Sequence, residues 1–163
     1  VRAALEDAGL PGSMLELEVT ETSVIADPVA AAAALKSITD LGVTVALDDF
    51  GTGYSSLRHI VELCVDRLKI DRSFVRHLPD DENSAAVCRA VIGMAREFGA
   101  RVTAEGVETA AQVETLTSQG CNDLQGFYFA KPTPAAELER SDLFSRARHL
   151  AAAPSRDCGP RRA

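Results

Sequence analysis

The stretch VTVALDDFGTGYSSL, residues 43–57, starts as a strand, ends as the beginning of a helix, and carries two acids and two glycines at the junction. Side chains of a strand alternate between two faces, so Val43, Val45 and Leu47 share one face and Thr44, Ala46 and Asp48 share the other. Gly51 and Gly53, on either side of Thr52, let the backbone turn sharply after the acids. The pattern is neither GxGxxG nor a P-loop, so a phosphate cradle of that kind is not expected. Adjacent acids instead suit a pair of metal ions, because one can bridge both while its neighbour binds only the second.

Four further β-like runs lie around this one: LELEVT (15–20), DRLKID (66–71), RVTAEG (101–106) and DLQGFYF (123–129). Helical runs separate them. Asp27 and Pro28 start one as N-cap and first-turn proline, and Gly42 ends it. Others are expected over 55–63, over 83–98 before Gly99, over 109–119 before Gly120, and from Pro134. Strand and helix alternate every ~20–35 residues, the signature of βα units and a parallel sheet. An open doubly wound sheet and a closed (β/α)8 barrel both satisfy that order.

The strand ends favour the barrel. In every strand the large aliphatics form one stripe, and the other stripe ends in a charge: Glu18, Asp48, Lys69 and Glu105. A second acid follows each carboxylate strand (Glu21, Asp49, Glu108), and Gln125 holds the equivalent place on the last strand. Parallel strands bring these ends to one rim, where barrels keep their active sites. Taken singly, Asp49 or Glu108 reads as a helix cap. Charges in matching phase on four strands read as a site. Inward-pointing carboxylates repel at close range, and a divalent cation relieves that repulsion. Oxygen ligands favour Mg²⁺ or Mn²⁺ over zinc.

Composition narrows the function classes. A chain of 163 residues, 46% hydrophobic and 25% charged, can bury one real core. No run of ~18 apolar residues and no signal-peptide pattern occurs, so a cytoplasmic protein with no membrane segment is expected. Cys64, Cys88, Cys121 and Cys158 are too far apart in sequence for a structural zinc site, and the first three lie in apolar runs as reduced core residues. The net charge is −7, with the basic residues concentrated at the end. Residues 140–163 hold six Arg and two Asp, which leaves 11 basic and 22 acidic groups in residues 1–139. Such a body does not attract polymeric nucleic acid. Periodicity fades after about Leu150, and 140–163 is expected to be the end of a helix followed by a disordered basic tail.

Together the motifs LELEVTE (15–21), ALDDFGTGYSSL (46–57), DRLKIDRSFV (66–75), TAEGVET (103–109) and LQGFYFAKP (124–132) resemble the EAL domain family, which hydrolyses the bacterial second messenger cyclic di-GMP. The resemblance covers residues 1–139. It implies a TIM-type (β/α)8 barrel, present here as its last five strands and therefore incomplete. It also implies a metal-dependent phosphodiesterase using two Mg²⁺ or Mn²⁺ ions and releasing linear pGpG.

Residue roles follow from the same resemblance. Glu18 and Asp48 are implied as ligands of the first metal. Asp48 bridges to a second, whose other ligands are Asp49 and Glu105. Lys69 is implied to hold the attacking water, and Glu105 is a second candidate for general base. Glu21 is implied to brace the loop of Gly51, Thr52 and Gly53, which in the family links the site to dimerisation; a homodimer or another EAL-domain chain is the implied partner. Glu108 and Gln125 are implied as supporting residues. The family's Glu-Ala-Leu motif and an upstream Asn, both metal ligands there, have no counterpart in this chain. The alternative reading is an inactive EAL-derived module that binds a nucleotide or a partner, or a remnant without function.

Overall fold

The structure is a computed structural model and describes residues 1–20, 23, 27–51, 65–138 and 140. Its residues divide into two units, 1–129 and 130–163. In the second, a short helix (Ala135–Leu138) begins where the Pro134 carbonyl accepts from the amides of Glu137 and Leu138. All that follows concerns the first unit.

Five parallel strands lie in sequence order: β1 (Glu16–Thr20), β2 (Thr44–Phe50), β3 (Arg67–Ile70), β4 (Arg101–Ala104) and β5 (Asp123–Leu124). Strands adjacent in sequence are adjacent in the sheet, as βα units wound in one direction require. The helices are α1 (Arg2–Ala8), α2 (Pro28–Thr39), α3 (Arg72–Val75), α4 (Glu82–Phe98) and α5 (Ala110–Ser118). This is the α/β barrel wall expected from the sequence, with five strands of a barrel that is not closed among the described residues.

Local chemistry sets the boundaries. Asp27 caps α2 by accepting from the Ala30 amide at 3.0 Å, with Pro28 in the first turn. Asp81 caps α4 through the Ser84 amide and hydroxyl. Thr109 and Gln112 form a reciprocal capping box at the start of α5. The aliphatic stripe of the strands packs under these helices. Val45, Leu47, Leu68, Ile70 and Val102 are buried with Val91, Ile92 and Leu116. Cys88 joins this core, and burial pushes its thiol up to about 11, so it is a packed hydrophobe rather than a reactive thiol. Cys121 is also a free thiol.

Two local expectations change. The run 123–129 is not one strand: the ladder stops at Leu124, and the chain turns over the segment after β4. The Val107 amide donates to the Gln125 carbonyl, and the Tyr128 amide donates back to the Val107 carbonyl. Gly126 sits so close to Val107 that an added Cβ would lie 2.1 Å from its carbonyl oxygen. Asp71 does not extend the charged stripe of β3; it caps α3 by accepting from the Ser73 amide at 2.9 Å. The helix expected over 55–63 lies outside the described residues.

Candidate active site

Lys69 is the centre of the rim. It stands on the middle strand and is only 4% exposed. Its Nζ lies 2.6 Å from Glu18 Oε1 on β1, 3.2 Å from Asp48 Oδ1 on β2, and 2.6 Å from Glu105 Oε1 just beyond β4. Four of the expected site residues, from four strands, thus meet at one point. Burial works to lower the lysine pKa, but hydrogen bonds to Glu105, Glu18 and Asp48 outweigh it and hold Lys69 well above the ordinary lysine range. The group is a permanent cation under any physiological condition.

The adjacent acids sit at an irregularity in the sheet. Leu47 pairs with Leu68 and Phe50 with Ile70, so β2 spends three steps where β3 spends two. The extra residue is a bulge at Asp48–Asp49, and Asp49 has φ 55, in the left-handed region. A regular strand would send consecutive side chains to opposite faces; a bulge breaks that rule. The Asp49 amide donates to Asp48 Oδ1 at 3.1 Å, which fixes the carboxylate that also faces Lys69. Gly51 follows with φ 98, its Cα facing the Phe74 ring, where a Cβ would come within 3.2 Å.

The remaining expected residues stand differently. Glu108 and Gln125 are exposed, and no side-chain hydrogen bond or ion pair ties either to the lysine cluster among the described residues. The Glu108 amide helps to cap α5 by donating to Gln112 Oε1 at 2.7 Å. Glu21, Thr52 and Gly53 lie outside the described residues.

A second charged layer lies one step further down the strands. Arg67 donates from Nε to Glu16 Oε2 at 2.8 Å and from Nη1 to Thr103 Oγ1 at 2.8 Å, and it pairs with Asp123 through Nη1. Arg101 also binds Asp123, at 2.8 Å. Four of these residues precede an expected site residue by two: 16 and 18, 67 and 69, 103 and 105, 123 and 125. That spacing was the signal available in the sequence, since residues i and i+2 share a face.

The carboxylates have the chemistry that divalent cations require. Glu18, Asp48 and Glu105 present hard oxygens to a common point. Their spacing is that of a shell around an ammonium: among the described residues, no set of three His, Cys, Asp or Glu side chains stands close enough to enclose a metal ion. Closing on an ion with ligands at ~2.0–2.1 Å requires the lysine amine to withdraw. Three carboxylates facing one lysine leave an excess of negative charge that favours such an exchange.

A parallel α/β barrel wall with acids from several strands gathered at the C-terminal rim defines an α/β barrel protein with a charged rim at the end where such barrels keep their sites. The chain belongs to the EAL domain family, whose model matches residues 1–132. It is 45% identical over 138 residues to the bifunctional diguanylate cyclase/cyclic di-GMP phosphodiesterase MucR of Pseudomonas aeruginosa, covering 85% of this chain and 20% of that protein. It is 43% identical over 154 residues to the cyclic di-GMP phosphodiesterase NbdA of the same organism, covering 94% of this chain and 19% of NbdA. The chain thus spans about a fifth of the length of these relatives.

The solved MucR phosphodiesterase in complex with cyclic di-GMP superposes with a TM-score of 0.82 at 45% identity, over 85% of this chain and 56% of that one. BlrP1 of Klebsiella pneumoniae, solved with cyclic di-GMP and either calcium or manganese, superposes with a TM-score of 0.75 at 35% identity, over 80% of this chain and 33% of that one. No helix among the described residues is long and apolar enough to cross a membrane.

Proposed function

We propose that this chain is the C-terminal part of a metal-dependent phosphodiesterase domain that hydrolyses cyclic di-GMP to linear pGpG. The observation that carries the reading is the meeting of Glu18, Asp48 and Glu105 on the buried Lys69 ammonium. The relatives named as cyclic di-GMP phosphodiesterases, and the calcium and manganese complexes of BlrP1, support it.

Glu18 and Asp48 would hold one Mg²⁺ or Mn²⁺, and Asp48, Asp49 and Glu105 a second. Cations there supply an activated water and neutralise charge gathering on the phosphodiester oxygens. Lys69 orients the water and offers a fixed positive charge to the same oxygens. Glu105 can accept the proton of the attacking water. Glu108 and Gln125, both exposed, would contact the nucleotide.

The test is hydrolysis of cyclic di-GMP by the purified protein with Mg²⁺ or Mn²⁺, followed by chromatography of pGpG. Glu105→Ala abolishes turnover if the assignment is right; undiminished activity in that variant removes Glu105 from the chemistry.

A second reading has its own support. The same carboxylates already bind Lys69 and are not set at metal-binding distances. A non-catalytic module that binds the nucleotide or an EAL-domain partner would keep that arrangement. It predicts calorimetric uptake of cyclic di-GMP in the presence of chelator, without turnover when metal is added.

A further inference from the structure

We infer that Arg67 is a positioning residue: its forked guanidinium braces β3 to β1 and β5 one layer below the rim and thereby fixes where Lys69 meets its three carboxylates. The inference rests on the reading of the rim as a hydrolytic centre only for the activity arm of its test.

Strands in a sheet are ~4.8 Å apart, so β1 and β5 each lie ~10 Å from β3 along the sheet. One side chain nonetheless reaches both, with Glu16 on β1 and Asp123 on β5. The register shows how. Glu18 pairs with Ala46 and Ala46 with Arg67, so the residue level with Arg67 on β1 is Glu18, yet its guanidinium binds Glu16, two residues lower. On the other side Arg67 is level with Arg101, and Asp123 is level with Thr103, two residues higher. The line of contacts climbs one residue per strand across the whole sheet. That is the stagger of an eight-stranded barrel, in which each interior layer is built by alternate strands. Glu16, Arg67 and Asp123 come from the odd strands β1, β3 and β5, with Thr103 of β4 in the layer above. Glu18 and Lys69 repeat the pattern one step higher, with Asp48 and Glu105 above them.

In most barrels such layers are aliphatic and hold the stagger by packing alone. Here the lower layer is polar, so the stagger depends on directional bonds. An arginine is suited to it, because its rigid planar fork spreads its donors in fixed directions toward two carboxylates and a hydroxyl, whereas a lysine offers its three donors from one point on a flexible stem and fixes no plane. The three partners of Lys69 sit on β1, β2 and beyond β4. A slip of β1 against β3 therefore moves Glu18 relative to the amine directly. Misplacement of ~1 Å at a reacting centre costs about 100-fold in rate. Arg67 touches none of the reacting groups and acts only through the strands that carry them.

The experiment uses [¹⁵N]lysine-labelled protein in chelator, with the Lys69 ammonium signal assigned by its loss in Lys69→Met. An ammonium bonded to three carboxylates exchanges slowly with water and gives a distinct resonance. Arg67→Met is expected to keep a cooperative melt but to lose or broaden that resonance, and to lower kcat for cyclic di-GMP by about 10–100-fold with KM within about twofold. Arg67→Lys, which keeps the charge and loses the fork, should behave like Arg67→Met; it also serves if the methionine variant does not fold. An unchanged ammonium resonance and kcat in either folded variant overturns the inference, as does full rescue by lysine. If the unaltered protein shows no turnover but its resonance disappears in the variants, the brace stands and the phosphodiesterase reading falls.

Discussion

Replacing Lys69 by methionine is the most informative single change, because it removes one cation from among three carboxylates. Two of those carboxylates have side chains only 22% and 23% exposed (Glu105 and Asp48), and Glu18 is 49% exposed. Breaking a buried ion pair from one side costs about 3–5 kcal/mol. An exposed pair contributes about 0–1 kcal/mol, so the Glu18 share is small. The lower end of the range applies, about 3 kcal/mol. At about 2–4 °C per kcal/mol for a domain of this size, the melting temperature in chelator should fall by about 6–12 °C.

Manganese should then separate the two proteins. Methionine no longer competes for the carboxylates, so Mn²⁺ should raise the melting temperature of the variant more than that of the unaltered protein. A cation at 100 times its Kd adds about 2.7 kcal/mol, enough to recover most of the loss. The pH dependence has a fixed sign. A lysine whose folded pKa is raised contributes fully below its unfolded value of about 10.4 and loses that contribution as pH rises through the folded value. The stability gap between the two proteins should therefore stay constant from pH 6 to 9 and narrow only above about pH 10. A melting temperature within about 2 °C of the unaltered protein in chelator would refute the claim that the ammonium holds the rim together.

Three further changes address other parts of the site. Asp123 is held below the usual carboxylate range: burial opposes ionisation, but hydrogen bonds from Arg101 and Arg67 outweigh it. Its contribution is present above about pH 3.9 and is lost as pH falls through the lower folded value, so the urea midpoints of Asp123→Asn and the unaltered protein should differ at pH 7 and converge below about pH 4. Asp49→Asn keeps a residue that tolerates φ 55, so stability should stay within about 1 kcal/mol by urea denaturation while turnover drops at least about tenfold; retained activity would remove Asp49 from the metal shell. Gly126→Ala places a methyl 2.1 Å from the Val107 carbonyl oxygen and 2.3 Å from its nitrogen, atoms of backbone that cannot swing aside. Overpacking of that kind costs about 3 kcal/mol or more, and a melt within about 2 °C of the original would mean that the β4–β5 connection is softer than it looks.

The parts of the site legible in the sequence are those that depend on strand phase alone. Glu18, Asp48, Lys69 and Glu105 are found by counting alternation from the aliphatic stripe, and the structure brings all four together. Three features depend on more than phase. The bulge at Asp48–Asp49 is invisible to a period of two, which assigns the neighbouring acids to opposite faces. The end of β5 depends on how closely Gly126 can approach Val107, a contact between segments 19 residues apart. The Arg67 layer shares its phase with the rim and was within reach of the same counting. Its partners were not, because the charges that pair are offset by two residues from those level in the register. Only the stagger of the barrel decides which carboxylate an arginine meets.

That stagger also explains why the chemistry is confined to the rim. The lower layer sets Glu16 and Asp123 against Arg67 and Arg101, two acids against two bases, and is neutral. The layers above it set Glu18, Asp48 and Glu105 against Lys69 alone among the described residues. Lys69 cannot compensate three carboxylates, and the neutral layer below offers no surplus positive charge. Under the proposed function, cations entering from the open end of the barrel would supply the difference. A rim neutralised from below would be more stable and would bind no metal. On that reading the excess of acids would recruit the cations, and the arginine brace would keep those acids in register until the cations bind.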